Sequence, residues 1–281
     1  HSGDSTDVIL RNVLVAALPV AAFAVYAHGL SALLLLIVAT GSCIVTEHLL
    51  CRHNQQDSTI GDWSAAVTGI LLGLTLPPGL PLWMAAAGGF IAIGLGKLLF
   101  GGLGYNTFNP ALVGRAVLQG AFPVSMTTWS TPFGVDRFST LPSSTLTWPF
   151  VQPVYDSVTG ATPLAALKFE SQATPMADLA FGFVSGSTGE ASAVLILLGG
   201  LYLALRNMLN WRIPATIFAT VGVLSGLFHV IDPARFAGPE FMLLAGGLCL
   251  GAVFMATDMV TAPLTHRGVV VYGILIGTLV T

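Results

Sequence analysis

Charge is what this chain has least of. Asp, Glu, Lys and Arg together make up 8% of its 281 residues, where a soluble domain carries about 25%. So few charges cannot clothe a water-soluble globule, and a 54% hydrophobic content with a mean hydropathy of +0.82 points the same way. The net charge of −3 is small and argues against a nucleic-acid partner. Cysteine is scarce: Cys43, Cys51 and Cys249, with no C-x-x-C spacing. An iron–sulfur cluster ordinarily takes four thiolates, so this chain alone cannot hold an ordinary one. All three cysteines lie in or beside apolar runs and read as buried small hydrophobes. An initiator methionine is missing ahead of His1-Ser2-Gly3-Asp4-Ser5, so the natural start is expected to be missing as well. A secretory signal with a cleavage site is also lacking, and the first apolar run reads as a true span.

What the chain has in plenty is apolar runs, at 12–27, 30–50, 63–76, 82–100, 110–121, 191–206, 213–229, 239–257 and 268–281. A full crossing takes about 20 residues, and several runs are shorter. The run 63–76 stops at Pro77-Pro78; 110–121 starts at Asn109-Pro110 and stops near Pro123. With 32 glycines and 16 prolines, the pattern predicts broken or tilted helices around a site at membrane depth. Gly94, Gly96, Gly101, Gly102 and Gly104 predict close helix approach. The fold class is therefore an all-α polytopic membrane protein, a helical bundle of about nine to ten transmembrane segments with broken helices. Residues 1–121 are expected to form a first membrane half, 122–190 a loop, and 191–281 a second half whose last span lies beyond Thr281. The stretches 101–109 and 258–267 then read as related re-entry points of an inverted five-plus-five repeat.

Basic residues orient the bundle. Counting alternate crossings, Arg11, Arg52, Lys97, Arg206, Arg212 and Arg267 fall on one side, which the positive-inside rule makes cytoplasmic. The exceptions are Arg115, Arg137, Lys168 and Arg235; Arg137 is expected to pair with Asp136, and Arg235 with Asp232. The loop 122–190 then faces the periplasm. Its Trp129, Trp148, Phe150 and Tyr155 suggest a segment lying on the membrane surface, or simply an interfacial aromatic belt.

Three motifs carry chemistry. Asp156-Ser157-Val158-Thr159-Gly160-Ala161-Thr162 resembles the D-x-x-[ST]-G-A-T signal at which a flavin transferase esterifies flavin mononucleotide (FMN) onto the last threonine. Thr162 is then the covalent attachment point. Asp156 suits the transferase or its metal, Thr159 completes the signal, and Gly160 and Ala161 leave room for the ring and the modifying enzyme. The plainer alternative is a glycine turn with capping threonines. The second motif is Gly-Gly-Leu-Gly-Tyr-Asn-Thr-Phe-Asn-Pro-Ala at 101–111. It lacks the strand and glycine spacing of a dinucleotide fingerprint. It reads as an irregular turn whose following helix N-terminus attracts an anion, a flavin ring or an ion, or as a tight turn with Asn106 and Asn109 as caps. The third is Thr-Asp-Met-Val-Thr-Ala-Pro at 257–263, where Asp258 and Thr261 are a cation or cofactor contact, or an N-cap. Arg115, inside a short apolar run, must face protein, a phosphate or a carboxylate. With Asn106, Asn109, Asp258 and Thr261 it is expected to enclose a second flavin or an ion route. Glu47 and His48 read as interfacial groups that snorkel.

In this order, and over the whole chain, the three motifs resemble the RnfD/NqrB family, with a length more like RnfD. Met259 stands where the third motif more usually has proline. The resemblance implies a subunit of a bacterial inner-membrane Rnf complex that moves electrons between ferredoxin and NAD and couples this to Na⁺ or H⁺ translocation. It also implies FMN on Thr162, a noncovalent riboflavin, a urea-channel-like bundle, membrane and iron–sulfur subunits as partners, and a flavin transferase for maturation. The protein would supply position and electrostatics, the flavin the redox chemistry. The alternatives are an NqrB-type subunit of a Na⁺-translocating NADH:quinone reductase, a small-solute channel or transporter, and a structural scaffold. The last two leave 156–162 unexplained.

Overall fold

The computed structural model describes residues 5–53, 60–155, 160–170, 172, 174–190, 192–233 and 235–281. Its regular elements are helices: α1 Thr6–His28, α2 Leu30–His53, α3 Ser64–Thr75, α4 Leu82–Gly94, α5 Pro110–Ala121, α6 Pro123–Met126, α7 Pro163–Glu170, α8 Met176–Phe181, α9 Ala193–Leu205, α10 Arg212–Ile231, α11 Pro239–Leu244, α12 Leu248–Leu250 and α13 His266–Val280. A π-helical turn, Gly251–Met255, continues α12. Thr6–His28, Leu30–His53, Leu82–Phe100 and Arg212–Ile231 are long and apolar enough to cross a membrane; Ser64–Thr75, Ala193–Leu205 and His266–Val280 are shorter apolar helices. Every apolar run of the sequence coincides with one or more of the helices. The run 239–257 is broken at Gly246, whose φ of 67° is left-handed backbone that suits glycine. The polar stretch 122–190 is less of a loop than expected, for α6, α7 and α8 punctuate it.

Alternating traversal defines two ends of the bundle. The first holds the start of α1 and residues 97–109, 206–211 and 256–265. The second holds residues 28–29 and the described residues of 122–192 and 232–238. The second end is stitched by backbone bonds from Leu30 N–H to Arg137 O at 2.9 Å, Phe133 N–H to Ala27 O at 2.7 Å and Leu82 N–H to Thr145 O at 3.0 Å.

Small residues let the helices approach closely, because apolar side chains gain little from leaving lipid for one another. A side chain at Gly69 of α3 would strike the Thr40 backbone of α2, and one at Gly89 of α4 would meet Ala39 and Ser42. Ser42 Oγ donates to Ala86 O of α4 at 2.6 Å. The second half repeats the device: Gly273 and Gly277 of α13 lie against Thr216 and Thr220 of α10. The halves meet where Gly199 of α9 faces the Ala16 carbonyl of α1. There the buried Asn12 accepts from Tyr202 Oη and Arg206 Nη1, each at 2.7 Å. Cys43, Cys51 and Cys249 are buried thiols, as their apolar setting predicts.

Candidate functional site

The short helix α3 ends inside the bundle, so its last carbonyls need donors from elsewhere. Three residues distant in sequence supply them. Gly189 N–H donates to Leu74 O at 2.6 Å, and Thr188 donates to Leu76 O through its N–H at 3.0 Å and its hydroxyl at 2.7 Å. Arg115 Nη1 donates to Thr75 O. A cation at a helix C-terminus also faces the negative end of the helix dipole. Arg115 is therefore satisfied by backbone, with the buried Glu190 as the nearby charge it feels. Glu190 in turn accepts from Ser187 Oγ at 3.0 Å. Of the surroundings its short apolar run called for, protein, a phosphate or a carboxylate, Arg115 meets protein at Thr75 O. Five residues into α5 put it about 7.5 Å up the helix from Pro110, on the side of α3.

Asn106, Asn109 and Asp258 do come together. They line one cavity at the first end of the bundle, with Ser64, Lys97 and an apolar wall that includes Leu71, Val253 and Phe254. The 101–109 turn needs its glycines, since Gly101, Gly102 and Gly104 have φ of 110°, 101° and 94°. Asn109 is the N-cap of α5, accepting from Ala111 N–H at 3.0 Å, and its amide reaches Met255 O at 3.4 Å. Asn106 donates to Phe108 O at 3.1 Å, yet its Oδ1 has no partner although the residue is only 5% exposed. Such orphaned buried acceptors are rare and costly. Asp258 accepts from Val260 N–H at 3.4 Å and from Thr261 Oγ1 at 3.3 Å, so Thr261 orients the carboxylate. Burial pushes the Asp258 carboxyl above its ordinary pKa, with those two hydrogen bonds pulling the other way.

Lys97 and Glu47 depart from expectation. Neither is at a membrane surface: they are 1% and 0% exposed. Lys97 Nζ binds both Glu47 oxygens at 2.8 and 2.9 Å and Ser64 Oγ at 2.5 Å. Lys97 is thus an interior cation and drops out of the charge count that orients the bundle. The signal was there, since two charges inside apolar runs are each expensive alone, but nothing local says that residues 47 and 97 meet. Glu190, in a polar stretch, gave no such signal. Two surface pairings also differ. The Arg137 side chain reaches Tyr26 O at 2.9 Å and Gly134 O at 3.1 Å, within a cage of Tyr26, Phe133 and Phe138 rings. Arg235 meets Asp232 through its backbone N–H, at 3.3 Å, while its guanidinium lies over Phe236.

Asp156 and Thr159 lie outside the described residues; Gly160, Ala161 and Thr162 are at the second end. Gly160 is a packing site rather than a space left open. Its N–H donates to Trp129 O at 2.9 Å, and any side chain there would meet Ser185 and Thr131. Thr162 stands just ahead of α7, half-buried. Its Oγ1 accepts from Ala165 N–H at 3.3 Å and its carbonyl from Ala166 N–H at 2.8 Å, the geometry of an N-cap. A phosphoester on that hydroxyl would put its negative charge at the positive end of α7.

The NQR2, RnfD, RnfE family profile matches residues 1–281. The chain belongs to this family. The D-type subunit of the proton-translocating ferredoxin:NAD(+) oxidoreductase complex of Clostridium ljungdahlii is 39% identical to it, over 98% of this chain and 81% of that protein. Its counterpart in the ion-translocating oxidoreductase complex of Halorhodospira halophila is 39% identical, over 95% and 79%. The D-type member of the Na(+)-translocating ferredoxin:NAD(+) oxidoreductase complex of Acetobacterium woodii is 38% identical, over 96% and 78%. Family and apolar helices together make the chain a membrane protein.

Proposed function

We propose that this chain is the D-type membrane subunit of an ion-translocating ferredoxin:NAD oxidoreductase (Rnf) complex, carrying FMN on Thr162 as an electron relay. The relatives' names favour this over an NqrB-type subunit. The observation that carries the cofactor reading is the N-cap position of Thr162. Thr162 is partly accessible, its hydroxyl accepts from Ala165 N–H in the first turn of α7, and it lies two residues after a glycine held by packing. In this reading a flavin transferase acts from the periplasmic side of the inner membrane, on residues 122–190, and iron–sulfur and other membrane subunits are the electron partners. Bound flavin supplies electron-transfer chemistry that no side chain here provides. Thr162 is a tether, neither acid nor base.

The Asn106–Asn109–Asp258 cavity suits a second, noncovalent flavin such as riboflavin, or an ion path. Asn106 Oδ1 is an acceptor in want of a donor, Lys97 is a cation at the wall, and Asp258 is a carboxylate. The enclosed space is about 80 Å³, well below the roughly 300 Å³ at which ligand pockets begin. It shares Ile9, Met208, Leu209, Thr257 and Met259 with a neighbouring hollow of about 590 Å³. A ring would therefore enter from that side, with its polar edge toward Asn106. The plug of Arg115, Thr188 and Gly189 on α3 counts against an open solute channel.

In-gel fluorescence of the denatured chain tests the covalent reading. Thr162→Ala should abolish it, and a peptide mass of FMN minus water on Thr162 should accompany the wild type. Fluorescence retained by the alanine variant would remove the assignment.

A further inference from the structure

A cleft of about 860 Å³ opens beside α7 at the second end of the bundle, within the roughly 300–1,000 Å³ of ligand pockets. Leu164, Leu167 and Lys168 of α7 form one wall; Arg235, Phe236 and Phe241 lie across from them. Leu164 is two residues from Thr162, so the tether lies within about 7 Å of the wall along the chain. The floor is apolar and the rim carries two cations. Among the described residues neither cation is held by a carboxylate, the ion pair there being Lys97–Glu47. Each rests near an aromatic ring instead, Lys168 at 5.4 Å from Phe169 and Arg235 at 5.6 Å from Phe236. An apolar slot with uncommitted cations beside an anion tether suits a flat aromatic group that gathers negative charge at one edge.

We infer that this cleft seats the isoalloxazine ring of the flavin tethered at Thr162, with Lys168 and Arg235 facing the edge where charge collects on reduction. The inference rests on the Thr162 reading. The α7 side chains would then set both the direction in which the tether points and the potential of the bound flavin. Fixed cations close to that edge favour the reduced form, and so raise the potential.

The experiment uses the full chain purified in detergent after co-expression with a flavin transferase. It compares the wild type with Lys168→Ala/Arg235→Ala and with Leu167→Trp. Denatured-gel fluorescence should be equal in all three, because the tether is untouched and both cations are exposed. In the native proteins, redox titration should give the double alanine variant a more negative flavin potential. Leu167→Trp should quench native flavin fluorescence by ring contact, an effect that vanishes on denaturation. Unchanged potential and unchanged native fluorescence in both variants, with the tether present, would overturn the cleft assignment alone; the cleft would then be a surface for lipid or a partner protein. A wild type without denaturation-resistant fluorescence would instead strike down the Thr162 reading, and the cleft with it.

Discussion

At the scale of single residues, the interior charges decide most. Lys97 and Glu47 pair in a buried setting, and removing one partner of such a pair costs about 3–5 kcal/mol because the other loses its countercharge. Lys97→Met should therefore cut the yield of folded protein sharply and lower Tm in detergent. Lys97→Met/Glu47→Leu should recover much of both, since an apolar pair of similar size avoids the bare charge. A double variant as unstable as the single would show that the charges serve something beyond each other. Asp258 behaves oppositely. Its carboxyl is held above the ordinary pKa of 3.8 by burial, so the folded state binds more protons than the unfolded chain in the window just above that value. Stability from this group accordingly falls as pH rises through the window. Asp258→Asn should raise Tm at neutral pH, with the gain shrinking toward pH 4 in thermal melts. A variant less stable than wild type at neutral pH, and equally so at pH 4, would contradict this account.

Among the elements, packing rests on glycine at chosen positions rather than on glycine content. Gly69→Ala puts a methyl group into the Thr40 backbone, which cannot step aside. Overpacking of this kind costs about 1–3 kcal/mol, so Tm should drop and α2 should separate from α3. Gly226, in α10, has open space around it. Gly226→Ala should be neutral or stabilise by roughly 0.5–1 kcal/mol through helix propensity. Thermal melts of the two variants side by side check the assignment; equal effects would mean that glycine acts here through flexibility alone. The broken helix α3 follows the same logic. Its exposed carbonyls would be intolerable in lipid, and the second end of the chain folds inward through Thr188 and Gly189 to meet them.

The whole molecule has two unlike ends. One carries the Asn106–Asp258 cavity, the other Thr162 and the cleft beside α7. The positive-inside argument from Arg11, Arg52, Arg206, Arg212 and Arg267 predicts that the first faces the cytoplasm. Cysteines introduced at Ser143 and Asn210, both exposed, test this in cells. Ser143→Cys should react with a membrane-impermeant thiol reagent once the outer membrane is permeabilised, and Asn210→Cys only after the inner membrane is opened. The reverse order would invert the whole assignment. The three native cysteines are buried, which keeps the background low.

Much of this was legible without a fold. Low charge and long apolar runs dictate a helical membrane protein, because lipid leaves backbone groups no other partners. The breaks at Pro77-Pro78 and at Asn109-Pro110 could be read from proline, since it acts through local backbone geometry, whereas the break at Gly246 lay hidden inside the run 239–257. The motif at 156–162 could be located for the same reason, being contiguous. Pairings across the bundle were beyond reach of the linear order. Nothing near Lys97 announces Glu47, nothing near Arg115 announces the end of α3, and Gly160 looks like spare room until Ser185 and Thr131 are seen against it. These contacts join residues tens of positions apart, and which of them form depends on helix crossing and on where each small residue falls. Sequence periodicity carries information over a few residues; only the tertiary structure decides what a buried charge will meet.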